Sequence, residues 1–80
     1  MNTYRYAFAA ACPGNGEQII YSLELQHKDM VRVEHIKLAC ALHKEGFQEA
    51  IATDLHARFG GRLTIRANHH GVDVTTELTM

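Results

Sequence analysis

From Tyr4 to Cys12 bulky and small side chains alternate: Tyr4, Tyr6, Phe8, Ala10 and Cys12 on one side, Arg5, Ala7, Ala9 and Ala11 on the other. A period of two is the pattern of a β-strand. A second run of that period follows, with Ile19, Tyr21, Leu23 and Leu25 alternating with Ile20, Ser22, Glu24 and Gln26. Between the runs stand Pro13, Gly14, Asn15 and Gly16. Proline presets turn geometry, and glycine and asparagine tolerate positive φ, so the two runs are predicted to form a β-hairpin.

From Val33 the period lengthens. Ile36, Ala39, Cys40 and His43 recur three or four apart, as do Leu38 and Leu42. This predicts a helix from near Val33 to near Lys44, broken by Gly46. Phe47, Ile51, Leu55 and Phe59 then recur every four residues and predict a second helix with that stripe as core, stopped by Gly60 and Gly61. Leu63, Ile65 and Ala67 return to period two, Asn68 to Gly71 supply a turn, and Val72, Val74, Thr76 and Leu78 alternate with Asp73, Thr75 and Glu77. The order β-β-α-α-β-β predicts one α+β domain over residues 1–80, a four-stranded antiparallel sheet with two helices packed on one face. Large apolar side chains, Tyr4, Tyr6 and Phe8 or their counterparts, are expected on the other, open face.

Eighty residues allow one domain. A chain of this length buries only about 60–65% of its unfolded surface, so its core is marginal without staples or self-association. Cys12 and Cys40 are the only cysteines and fall in a strand and a helix, which leaves one disulfide possible but not indicated. Together with the expected apolar face, this predicts a homo-oligomer whose sheets join or stack. The net charge of −1, with no run of Lys or Arg, lacks the footprint of a nucleic-acid binder. No segment approaches the roughly 20 apolar residues of a membrane span. The small residues before Cys12 resemble a lipoprotein cleavage site, but only Ala7 to Ala11 precede it as an apolar core, short of the ~7–15 residues of a signal segment. The expected location is the cytoplasm.

Two segments carry a resemblance. Cys12 to Glu17 read CPGNGE, and Phe47, Gln48 and Glu49 read FQE, with HHGVDV at residues 69–74 near the end. These and the element order resemble the tunnelling-fold enzymes, most of all the nitrile reductases that act on 7-cyano-7-deazaguanine. That family has a CPxTGQ-type nucleophile segment and a Phe-His-Glu segment opening its second helix. The resemblance, which runs over most of the chain, implies subunits that join their sheets into a barrel around a tunnel, with a purine-, deazapurine- or pterin-like ring bound between them. It implies Cys12 as nucleophile and Glu49 as the carboxylate that grips the N–H edge of the ring. Three positions depart from the pattern. Ile19 stands where the reductases have an aspartate, Gln48 where they have a histidine, and Val31 to Leu42 lack their nicotinamide-binding run. No cofactor is assigned.

Each candidate has a plainer reading. Cys12 attacks an electrophile only as a thiolate, and no base lies near it in sequence; otherwise it is a half-buried strand-end residue. Glu49 in the first turn of a helix is explained by the helix dipole alone, although two carboxylate oxygens also match two adjacent N–H donors. His69 and His70 occupy the predicted turn as acid–base or metal-ligand candidates, or as solvated histidines. Cys40 and His43 share a helix face, but two ligands make no metal site, and none is assigned. His27, His35 and His56 share no face. Two functions remain open: a ring-binding oligomer with residual catalysis through Cys12, or a non-catalytic interaction module that uses an exposed sheet face.

Overall fold

The computed structural model describes residues 1–79. Strands β1 (Asn2–Ala11) and β2 (Gln18–His27) form the first hairpin, helices α1 (Val33–Ala41) and α2 (Gln48–Phe59) follow, and β3 (Arg62–His69) and β4 (Val72–Leu78) form the second hairpin. One antiparallel sheet has the order β1-β2-β3-β4, so the outer edges belong to β1 and β4. This is the predicted α+β architecture.

The register decides which residues share a face. Tyr4 lies opposite Leu25, Tyr6 opposite Leu23, Phe8 opposite Tyr21 and Ala10 opposite Ile19. Leu23 pairs with Ile65 and Leu25 with Leu63 across the β2–β3 ladder. All of these face the helices, where Ile36, Ala39 and Cys40 of α1 and Ile51, Ala52 and Leu55 of α2 complete the core. Burial of each large aliphatic side chain stabilises the fold by about 1.5–3 kcal/mol.

The aromatic side chains therefore do not occupy the open face. Tyr4, Tyr6 and Phe8 are half-buried against the core. The open face carries Arg5, Ala7, Ala9, Ser22 and Arg66, with Ile20 as an exposed large apolar side chain among them, and Arg5 is paired to Glu24 at 3.0 Å and Arg62 to Glu77 at 3.1 Å. The reason is the register: Arg5 falls opposite Glu24 and Ala7 opposite Ser22, so the small and charged set of β1 meets the polar set of β2.

Both helices differ from the predicted stripes. Helix α1 ends at Ala41 rather than near Lys44, because residues 44–46 dock on the end of β1: Ala11 N–H donates to Lys44 O at 2.8 Å and Gly46 N–H to Ala11 O at 3.1 Å. Phe47 is 62% exposed and is not core. It is the extended residue before the helix (φ −79°, ψ 149°), so the buried face of α2 runs Gln48, Ile51, Ala52 and Leu55, with Phe59 half-buried at its end. The helix stops at Gly60, whose φ is 70° and whose N–H donates to His56 O at 2.8 Å. No described helix is long and apolar enough to cross a membrane.

Candidate functional site

The two hairpin turns and the start of α2 meet at one end of the sheet. His70 Nε2 lies 3.2 Å from Glu17 Oε2 and 2.9 Å from Asn15 Nδ2, which ties the β3–β4 turn to the β1–β2 turn. The docking of Lys44 to Gly46 on Ala11 brings the first turn of α2 to the same end, directly beside the residue that precedes Cys12.

Cys12 opens the first turn. Its N–H donates to Glu17 O at 2.8 Å and its carbonyl accepts from Gly16 N–H at 2.7 Å, a closure that Gly16 permits at φ 73°. Its thiol is half-buried and free. Cys40 is also free but buried on α1, and burial pushes its thiol up to about 11. The thiolate is the reactive form. Brief alkylation of the folded protein is therefore expected to mark Cys12 alone, with Cys40 reacting only after unfolding. Peptide mass mapping reads the result, and prompt modification of Cys40 would contradict the packing of α1.

Gln48 is the centre of the polar contacts here. It is only 6% exposed. Its Nε2 donates to Ile65 O at 3.0 Å, to Val74 O at 3.0 Å and to Thr76 Oγ1 at 3.2 Å. Its Oε1 lies 2.8 Å from His69 Nε2. His69 is the last residue of β3 and continues the inward series Leu63, Ile65, Ala67, so it belongs to the strand rather than the turn. Its ring meets Tyr21 edge-on, with centroids 5.9 Å apart, and Tyr21 in turn stacks on Phe8 at 5.5 Å.

The turn itself is His70 and Gly71, both at positive φ (53° and 88°), with Asn68 Oδ1 accepting from Gly71 N–H at 3.0 Å. The structure thus places His69 inside, with Gln48 and Tyr21, and His70 outside, with Asn15 and Glu17. Glu49 follows Gln48 in the first turn of α2, is exposed, and makes no ion pair among the described residues. His43, whose helix face the sequence shares with Cys40, bonds instead to Asp54 at 2.6 Å, and Asp54 is also held by Arg58 at 2.9 Å. These groups tie the end of α1 to α2. No cluster of metal-binding side chains occurs among the described residues.

Sequence reasoning passed over two residues. Gln48 entered it only as a departure from a motif, and Tyr21 only as a core or interface residue. The Tyr21 hydroxyl is buried with no hydrogen-bond partner among the described residues, and burial, with Cys12 nearby as a second cause, raises its pKa. An orphaned buried hydroxyl costs about 1–3 kcal/mol. Tyr21→Phe is expected to raise stability by about 1 kcal/mol in urea denaturation. A loss of stability would mean that the hydroxyl has a partner in solution.

No family model matches the chain, and no curated protein matches it in sequence. Among solved structures, that of an archaeosine synthase, QueF-like, in its apo form is similar. The TM-score is 0.73, over 96% of this chain and 89% of that one, at 17% identity. The chain has the tunnelling fold. The element order and sheet of the tunnelling fold are thus present at nearly full length. The segments CPGNGE and FQE, far apart in sequence, open the β1–β2 turn and α2 at one end of it.

Proposed function

We propose that this tunnelling-fold chain self-assembles through its sheet edges and binds a flat nitrogen heterocycle at the end where Cys12, Gln48, Glu49 and His69 lie. The ring is purine-, deazapurine- or pterin-like, and the site is completed by a neighbouring subunit. The observation that carries the reading is Glu49: an exposed carboxylate without an ion-pair partner among the described residues, on the first turn of a helix whose preceding contacts dock it beside Cys12. Its two oxygens suit a ring edge with adjacent N–H donors, as guanine and pterins present, rather than one that alternates donor and acceptor. The similar solved structure, named an archaeosine synthase, supports the same class of ligand. The outer edge of β1, covered by residues 44–46 only at Ala11, supports assembly.

Cys12 is the candidate nucleophile. Against a nitrile its thiolate would form the S–C bond while the nitrile nitrogen takes up a proton, giving a thioimide. The residues present do not fit a nicotinamide cofactor: Val31 to Leu42 contain no serine, their only cations are Arg32 and Lys37, and Arg32 faces Glu34 at 3.9 Å. No reduction step is proposed. The alternative is a non-catalytic interaction module that uses an exposed sheet face or edge; the open face, small and polar apart from Ile20, offers it little apolar surface.

Native mass spectrometry of the protein as purified from cells tests the proposal. A closed oligomer that retains a small-molecule mass is expected. A ligand-free monomer at micromolar concentration would overturn it.

A further inference from the structure

We infer that Gln48 is a positioning residue that locks the His69 ring with its proton on Nε2 and so presents a bare Nδ1 as a second acceptor for the bound ring. The inference rests on the ring-binding reading for its ligand, but not for its lock.

The amide of Gln48 has only one workable orientation. Its nitrogen faces two backbone carbonyls, Ile65 O and Val74 O, each at 3.0 Å. Turning the amide over would set Oε1 against both carbonyl oxygens with no hydrogen between them. The oxygen therefore faces His69, and a carbonyl oxygen only accepts. At 2.8 Å the proton of this bond must come from His69 Nε2. A neutral imidazole carries one proton, so Nδ1 is left as an acceptor.

The ring is also held against turning. It packs against Tyr21 at a steep angle, 61° between the planes, and Tyr21 stacks on Phe8. Nδ1 has no partner and is not buried, since among the described residues only the Tyr21 hydroxyl is both buried and unpartnered. The site then offers acceptors from two elements, Glu49 on α2 and His69 on β3. It selects a ring with N–H donors on more than one edge. Guanine fits, with its lactam and amino N–H on one edge and an imidazole N–H on another.

The experiment is nitrogen NMR of the imidazole rings in the whole protein, at a pH of about 8, well above the ordinary histidine range of ~6.5. A ring N–H held in a hydrogen bond that is shielded from water exchanges slowly and is seen directly, and this one is part-buried. The expected result is a directly observed His69 Nε2–H, lost to exchange in Gln48→Leu, and a Nδ1 resonance that shifts when guanine is added. A His69 proton on Nδ1, or no observable ring N–H in the wild type, would overturn the lock even if Gln48→Leu does not fold. His69→Phe keeps the packing against Tyr21 and removes both nitrogens. It is expected to weaken guanine binding about tenfold, the worth of one good hydrogen bond. Equal guanine affinity in wild type and His69→Phe would overturn the ligand role while leaving ring binding intact. Guanine that does not bind the wild type at all would overturn the ring-binding reading and the ligand role together, with the lock still decided by the N–H signal.

Discussion

Gly61→Ala is expected to destabilise the domain by about 3 kcal/mol or more. Gly61 joins α2 to β3 at φ 69°, where a side chain costs about 1–2 kcal/mol by itself. A methyl group there would also lie 2.5 Å from Gln26 O and 3.0 Å from the His27 ring. Gln26 lies in β2, opposite Arg62, so its carbonyl cannot move without disturbing the β2–β3 ladder. Gly71 is the internal control: its φ of 88° is equally unfavourable, but nothing lies within 4 Å of the added carbon. Gly71→Ala should therefore cost only about 1–2 kcal/mol. With a total of roughly 4–12 kcal/mol for a domain of this size, Gly61→Ala removes a large share of it. Urea denaturation of both variants gives the comparison. Equal losses would mean that the α2–β3 connection does not approach β2 so closely. The point bears on the site as well. This connection fixes the far end of α2, whose opposite end carries Gln48 and Glu49.

The elements were readable because period two and period near four are local. The face of β1 was readable too, but only through the register. Counting back from the turn at residues 13–16 pairs Phe8 with Tyr21 and Arg5 with Glu24. Those pairs put the aromatic set of β1 on the side of Leu23 and Leu25, and so under the helices. Alternation alone identifies two faces without saying which is covered. His69 is similarly legible as the next member of Leu63, Ile65 and Ala67, and is lost because a turn that opens at Asn68 takes in the last two residues of β3. Phe47 misled for a local reason: a spacing of four continues a stripe only if the residue is itself helical, and Phe47 is the extended residue before the helix.

The role of Gln48 lay beyond such reading. Its acceptors on Ile65 and Val74 are 17 and 26 residues away, and nothing local sets a glutamine that bonds to two strands apart from a solvated one. The resemblance draws attention to the segment FQE, but to the histidine that Gln48 replaces. The structure supplies a histidine from another element, on β3, in contact with the glutamine. The orphaned Tyr21 hydroxyl was likewise invisible, because a tyrosine in an apolar alternation reads as core whether or not its oxygen is satisfied.

Glu49→Gln is expected to weaken guanine binding about 10- to 100-fold while leaving the oligomer intact. The change keeps the shape of the side chain and removes one acceptor, setting an amide N–H against a ring N–H. Hydrogen bonds to a charged group are worth about 1.5–3 kcal/mol, which corresponds to that range of affinity. The competing explanation of Glu49 makes a different prediction in size and in kind. As an acid in the first turn of α2 it stabilises the helix by only about 0.3–1 kcal/mol, and screening at its exposed position keeps the figure low. Titration calorimetry with guanine and urea denaturation on the same variant therefore separate the two. A loss of a few tenths of a kcal/mol in stability with unchanged affinity would make Glu49 a helix-stabilising residue and remove the observation on which ring binding rests. A large loss of affinity at nearly constant stability would mean that the carboxylate acts on the ligand. Because Glu49 is open to solvent in the single chain, an effect of that size also requires that the bound ring, or a neighbouring subunit closing over it, exclude water from the contact.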